Sequence, residues 1–403
     1  MSKTILLIGT LDTKGDEFAF VRDLIEKRGH QTVLMDAGVF PASVPADISA
    51  EEVARAGGME LDALRTRADR GQAMAVMQRG VATLTRSLFE RGEIDGVLGL
   101  GGSGGTVLAT AGMRSLPVGV PKVMVSTLAS GDVAAYVDTK DITMMYSVID
   151  IAGLNRLSRR VLGNAAGMIC GALEQEMPAG DDRPLIAASM FGVTTPCVTE
   201  VRRRLEQAGY EVVVFHATGS GGRAMEGLIA DGFFVGVADL TTTEWCDELV
   251  GGVLSAGPDR LDAAARAGLP QVVSVGALDM VNFWGLDTVP VQFRDRNLYQ
   301  HNENVTLMRT TVEESRELGR IVAEKLSAAR GPVVVMLPLK GVSMIDAPGE
   351  QFYSPEADQA LFGAFREHLA DHVQLIEVDA HINDDTFAGA VAEELLKLLG
   401  NTP

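Results

Sequence analysis

The glycine-rich run Gly99-Leu100-Gly101-Gly102-Ser103-Gly104-Gly105-Thr106 is the segment of this 403-residue chain best suited to chemistry. It follows the apolar Gly96-Val97-Leu98 and precedes a helix-compatible stretch from Val107 to Met113, so it marks a strand handing over to a helix. At such a junction bare backbone N–H groups can surround an anion. Glycine lets a phosphate or carboxylate approach where a Cβ would stand in the way. The run lacks the Lys-Ser/Thr pair that ends a Walker loop, and a merely tight turn is the competing reading. A second such turn, His216-Ala217-Thr218-Gly219-Ser220-Gly221-Gly222-Arg223, puts a histidine at a strand end. His216 there could act as general acid or base near neutral pH, with the N–H groups of Ser220, Gly221 and Gly222 stabilising an oxyanion or carboxylate. The alternative is that His216 only orders the turn. Glu226 stands one helical turn beyond Arg223, so an ion pair within the helix competes with a catalytic role for either residue.

The elements that must position these residues come from the hydrophobic pattern. Thr4 to Ile8 is a short β-branched run that ends in Gly9-Thr10-Leu11-Asp12-Thr13-Lys14; a helix with Phe18, Val21, Leu24 and Ile25 on one face follows, then Gly29 and a strand from Gln31 to Met35. Residues 184–222 repeat that grammar with strand Pro184 to Met190, helix Val198 to Ala208, Gly209 and strand Glu211 to Phe215. Further on, Ile94 to Leu98 echoes Ala230 to Phe234, and Val120 to Val125 echoes Leu269 to Val275. Apolar strands alternating with helices imply a parallel sheet covered on both faces. The expectation is an α/β chain of two Rossmann-like domains, 1–180 and 184–403, with the polar break from Glu176 to Arg183 as linker and a cleft between the domains. The first domain carries an extra helical stretch from about Phe40 to Phe89, rich in Ala, Arg and Met. It could pack against a subunit partner, cap a cleft or lie solvated; the first option predicts a homo-oligomer, a dimer at its simplest.

Composition narrows the partners. With 35 basic against 54 acidic residues the net charge is −19, which disfavours a broad nucleic-acid footprint. Cys170, Cys197 and Cys246 stand far apart without C-x-x-C spacing and read as buried thiols rather than a disulfide frame or zinc knuckle. The chain starts directly on a strand, with no signal-like segment and no long apolar span, which predicts a cytoplasmic protein that does not enter membranes.

In open α/β sheets ligands collect at the carboxyl ends of strands. That rule adds Asp36 and Ser126-Thr127 to the first site and Gly192 to Thr195, Asp239 to Glu244 and Gly276 to Asp279 to the second half. Residues 279–311 read as a long irregular region dense in polar groups, among them Arg294, Asp295, His301, Glu303, Asn304 and Arg309. It could cross a cleft and donate contacts, or pack a domain interface. Two arginines can clamp a carboxylate or phosphate while a histidine moves a proton. On that ground His216, Arg223, His301 and Arg309 are expected to converge on one anionic metabolite, with Lys340 at another strand end able to pair an anionic substrate. No histidine pair shows H-x-H or H-E-x-x-H spacing, so a metal held wholly by protein is not expected. Magnesium carried on nucleotide phosphates needs one or two ligands, for which Asp12 or Ser103 would suffice. Asp384 and Asp385 read as caps of the terminal helix.

Taken together, Gly9-Thr10-Leu11-Asp12-Thr13-Lys14, Gly101 to Thr106, Gly221 to Glu226, His301-Asn302-x-Asn304-Val305-Thr306-Leu307-Met308-Arg309, Lys340 to Ser343 and Ile382-Asn383-Asp384 resemble the Tm-1-like ATP-binding family. The resemblance spans practically the whole chain. It implies two Rossmann-like subdomains, ATP with magnesium, and self-association, but no settled reaction. Carried onto the matching loops, it makes Gly9, Thr10, Asp12, Thr13 and Lys14 with Gly101, Gly102, Ser103, Gly104, Gly105 and Thr106 the nucleotide-binding residues. The residues agree with that placement: the glycine loop would cradle phosphates, Lys14 would offset their charge, and Asp36 could reach a ribose hydroxyl. Two functions follow from different residues. One is a nucleotide-binding protein of regulatory or assembly type; the other is a hydrolase or lyase acting on a keto acid or similar anion in the cleft.

Overall fold

The computed structural model describes residues 2–67, 69–176, 180 and 182–400. The chain forms two units, Met1–Ala179 and Gly180–Pro403. Pro178 and Asp181 of the expected linker lie outside the described residues.

The first unit runs β1 (Thr4–Gly9), α1 (Leu11–Lys27), β2 (Gln31–Asp36), α2 (Ala50–Ala56), α3 (Leu61–Arg67), α4 (Arg70–Glu90), β3 (Gly96–Gly101), α5 (Ser103–Arg114), β4 (Lys122–Ser126), α6 (Ala134–Val137), β5 (Thr143–Tyr146) and α7 (Arg156–Glu174). Its sheet is parallel throughout, in the order β2-β1-β3-β4-β5. Alternation along the strands divides the core. Ile5, Leu7, Leu98 and Val123 pack under α1 and α7, whereas Leu6, Ile8, Val97 and Met124 pack under α2 to α5. The stretch from Phe40 to Phe89 is therefore less an excursion than half of the cover. Val53, Leu61, Leu64, Val76, Met77, Val81 and Leu88 are all buried against the unit's own sheet. The apolar surface expected to hold a subunit partner is thus used internally.

The second unit runs β6 (Leu185–Met190), α8 (Thr195–Gln207), β7 (Glu211–His216), α9 (Ser220–Ala230), β8 (Gly236–Thr241), α10 (Glu244–Val250), α11 (Asp262–Ala267), β9 (Gln271–Gly276), β10 (Met280–Phe283), β11 (Leu298–Asn302), β12 (Val305–Arg309), α12 (Val312–Ser327), β13 (Val333–Pro338), α13 (Pro355–His368), β14 (Gln374–Val378) and α14 (Asp385–Gly400). Six parallel strands take the order β7-β6-β8-β9-β13-β14. In each unit the second strand lies outside the first and the chain then crosses to the other side, so the halves share a topology as well as a grammar. The chain is an α/β protein with two mainly parallel, Rossmann-like sheets. Among the described residues no helix is long and apolar enough to cross a membrane.

Two expectations are corrected. The counterpart of β3 is β8 at Gly236–Thr241, and Ala230 to Phe234 is the end of α9 with the turn beyond it. There Gly232 takes φ +83, as Gly92 takes φ +70 before β3, so the aspartate-glycine pair that suggested the echo belongs to two different places in the repeat. Residues 279–311 are not wholly irregular: β10, β12 and β11 form an antiparallel sheet. Its strands are short and interleave Asn282, Thr306 and His301 with apolar residues, which hid the period of two.

Candidate functional site in the first unit

β1 and β3 lie side by side, yet α1 leaves β1 for one face of the sheet and α5 leaves β3 for the other. That divergence opens a crevice at their carboxyl ends, the place where doubly wound sheets bind ligands. The helix α5 begins at Ser103 rather than at Val107, and no side chain caps it. Its first bond back along the chain is Thr106 N–H to the Gly102 carbonyl, 2.9 Å. The N–H groups of Ser103, Gly104 and Gly105 thus form the open first turn, with the partial positive charge of a helix N-terminus. The Thr106 hydroxyl donates to the same carbonyl at 2.8 Å and meets Ser126 Oγ at 2.7 Å, which ties the turn to β4.

The glycines of this run do two different jobs. By count, Gly99-x-Gly101-x-x-Gly104 fits the dinucleotide fingerprint, but the strand continues to Gly101, so the first two positions are strand residues. A Cβ on Gly99 would lie 2.5 Å from Ala109 Cβ, and one on Gly101 would lie 2.8 Å from Gly105 Cα, so these positions let α5 close on the sheet. A Cβ on Gly102 or Gly104 would meet nothing nearer than 3.7 Å or 3.9 Å. Nothing inside the unit requires glycine at those two positions; an incoming group would. Gly9 belongs with the packing class, since its Cβ would fall 2.0 Å from the Phe18 ring.

Beside the turn is a cavity of about 480 Å³, roofed by α3 and α4 and walled by Val39, Phe40, Leu64, Met74, Met77 and Leu108, with Thr10, Asp12, Arg65 and Arg70 also lining it. Met74 is the side chain that the bare Cα of Gly104 faces. Asp12 Oδ1 is buried without a hydrogen-bond partner. Asp36, 3% exposed, accepts N–H bonds from Leu11 at 3.1 Å and Gly38 at 2.9 Å and so fixes the β1 and β2 loops together. Burial first, and then the charges of Asp12 and Glu51, raises its carboxyl above the ordinary carboxylate range. Gly38 separates the two carboxylates, its Cβ position lying 3.0 Å from Asp36 Oδ1 and 3.1 Å from Asp12 Oδ1. Phe40 and Arg65 divide this cavity from a second of about 460 Å³ that Asp36 also lines. Thr10 and Thr13 join their hydroxyls at 3.0 Å at the start of α1, and Lys14 sits at a non-helical step one residue on.

The second glycine turn is built differently. Its N–H groups hold an anion of the protein's own: the Glu244 carboxylate accepts from Gly219 at 2.6 Å and Gly222 at 3.0 Å. A Cβ on Gly222 would stand 2.1 Å from that carboxylate, and one on Gly221 would stand 1.8 Å from the His216 carbonyl. Glu244 is 1% exposed and is met at 2.7 Å by Nε of Arg260, itself buried. Arg260 also binds both oxygens of Asp239 and reaches Glu226 at 3.1 Å. Glu226, the competing partner for Arg223, takes Arg260 and the N–H groups of Leu261 and Ala263. Ser220 and Arg223 lie exposed beside this filled turn.

Of His216, Arg223, His301 and Arg309, the structure withdraws Arg309 from a shared site, because its guanidinium is spent inside the unit. His216 is exposed at the end of the edge strand β7, its ring 5.5 Å from that of Phe191. His301 is the irregular residue near the tip of the β11–β12 hairpin, where Asn302 Oδ1 accepts the Asn304 N–H. Arg309 is four residues farther along β12 than Val305, the neighbour of that tip, a distance of about 13 Å at the rise of a strand. Its guanidinium is consumed by the Phe352 carbonyl at 2.7 Å, Thr310 Oγ1 at 2.8 Å and Asp358 at 2.8 Å. Lys340 pairs with Asp379 at 3.0 Å on the surface. Asn383 is a staple, accepting from Cys197 N–H at 3.3 Å and donating to the Val193 carbonyl at 3.0 Å. Its replacement by Ala is expected to cost about 1–3 kcal/mol, because the Cys197 N–H is orphaned while the Val193 carbonyl keeps the Met344 N–H, measured by urea unfolding.

Sequence reasoning missed Arg260, and with it the reason for the second glycine turn. Its carboxylates stand 16, 21 and 34 residues away in the chain, on elements whose adjacency only the sheet order supplies.

Residues 3–178 of the chain match the N-terminal domain, and residues 183–399 the C-terminal domain, of the Uncharacterised protein family (UPF0261). A UPF0261 protein of Clostridium tetani is 53% identical over 99% of this chain and 100% of its own length, and one of Mesorhizobium japonicum is 50% identical over 97% and 98%. The ToMV resistance protein Tm-1 of Solanum lycopersicum is 42% identical over 98% of this chain, which spans 56% of the tomato protein. A ToMV susceptible protein of the same plant is 41% identical, so what the chains share is not the resistance. The chain belongs to the UPF0261 family, whose two domains correspond to its two Rossmann-like units.

Proposed function

We propose that the chain is a nucleotide-binding protein that takes ATP at the crevice of its first unit. The observation that carries this reading is the pairing of an uncapped helix N-terminus, open at Gly102 and Gly104, with an apolar cavity of about 480 Å³ beside it. The first-turn N–H groups of α5 suit phosphate oxygens, and the wall of Val39, Phe40, Leu64, Met74 and Met77 suits a flat base. ATP, rather than another nucleotide, comes from the family resemblance. Asp12 fits an accompanying magnesium ion, because its buried Oδ1 has no partner of its own and Asp36 adds negative charge nearby. Magnesium there would neutralise phosphate charge. Gly102 to Thr106 contains no lysine to reach a γ-phosphate, which favours a bound-nucleotide switch or assembly role over rapid phosphoryl transfer.

Calorimetry with ATP and magnesium tests the proposal. Ser103→Ala combined with Gly104→Val fills the open cradle and is expected to weaken binding about 100-fold or more, with the melting temperature unchanged within about 2 °C. An unchanged affinity, or no ATP binding by the unaltered protein, overturns it.

A further inference from the structure

We propose that Asp279 of the second unit holds a proton in the folded state, and that this proton fastens the loop of residues 339–353 over the carboxyl ends of β9 and β13. Asp279 and Asp346 are wholly buried, and each leaves one oxygen, Oδ1, with no hydrogen-bond partner. An orphaned carboxylate acceptor in a dry cluster is unfavourable, and a proton on Asp279 converts its Oδ1 into a donor. The other oxygens of both groups are fully used: Ser343 Oγ donates to Asp279 Oδ2 at 2.7 Å, and the Val342 N–H donates to Asp346 Oδ2 at 2.9 Å.

Charge around the pair points the same way. Arg309 of β12 is the cation of the cluster; it is 3.7 Å from Asp346 Oδ1 and spends its closer contact, 2.8 Å, on Asp358 of α13. Three carboxylates therefore face one guanidinium. From α10 come Cys246 and Asp247, the thiol driven well up by burial and by the charges of Asp247 and Asp279. Burial, then the Asp346 charge, carries Asp279 up to about 7, and the same two causes carry Asp358 up to about 8. The loop hangs from these groups: beyond Ser343 and Val342, the Ile345 N–H donates to Ser343 Oγ and the Phe352 carbonyl accepts from Arg309.

A carboxyl whose folded value is raised stabilises the fold at low pH, and that contribution is lost as pH rises through the folded value. Hydrogen exchange of the amides of residues 342–352, divided by the intrinsic rate, reads this directly in the full chain. Protection is expected to fall about tenfold or more between roughly pH 6 and pH 9, more than in β6 or β8 of the same unit. Asp279→Asn keeps an acceptor for Ser343 and supplies a permanent N–H donor toward Asp346, so its loop is expected to stay protected across that range. Protection in the unaltered protein that does not change with pH overturns the proposal. So does an Asp279→Asn chain that loses protection at every pH.

Discussion

Arg260→Ala is expected to lower the stability of the second unit by about 3–5 kcal/mol, the typical result of removing one partner from a buried ion network. Arg260 pairs with Asp239, Glu244 and Glu226 alike, and it is 1% exposed. Without it, Glu244 still holds the N–H groups of Gly219 and Gly222, and Asp239 still accepts from Ser189 at 2.6 Å, but two buried carboxylates face each other uncompensated. Typical domains have only about 5–15 kcal/mol in total, so the unit would be left marginal. Urea unfolding at neutral pH checks this; a loss below about 1 kcal/mol would mean that the guanidinium is not what holds the network.

The network also shows why the two glycine turns read alike in the sequence and differ in space. Both stand at a strand-to-helix junction with open first-turn N–H groups. In the second turn Glu244 fills them, because it follows β8 and is brought back onto α9 where β8 and β7 flank β6. Periodicity makes β1, β2, β6 and β7 legible, because runs such as Thr4 to Ile8 are apolar on both faces of a covered sheet. It makes the strand-to-helix junction at Gly101 to Ser103 legible, because strand ends are where the glycines fall. It does not reveal β10 to β12, whose alternation is short and polar, nor the acids around Arg309, which come from three separate segments and meet only after β9, β12 and β13 are in place.

Within the first glycine run the same lesson becomes a contrast between neighbours. Gly101→Ala is expected to destabilise the first unit by about 1–3 kcal/mol, in the range of a buried overpacking change, because its Cβ would stand 2.8 Å from the Gly105 backbone, which cannot rotate away. Gly104→Ala, three residues later, points its Cβ at open space with Met74 Cε 3.9 Å off and replaces glycine in a helical turn, where alanine is favoured by up to about 1 kcal/mol. It should leave the unit as stable or slightly more so. The ligand sees the opposite order: Gly104→Ala intrudes on the cradle while leaving α5 in place, so ATP affinity is expected to fall although the fold does not. Thermal unfolding and calorimetry on the two single variants separate these effects. If both substitutions lowered stability equally, the open face at Gly104 would be packing, and the argument that it waits for a phosphate would fail.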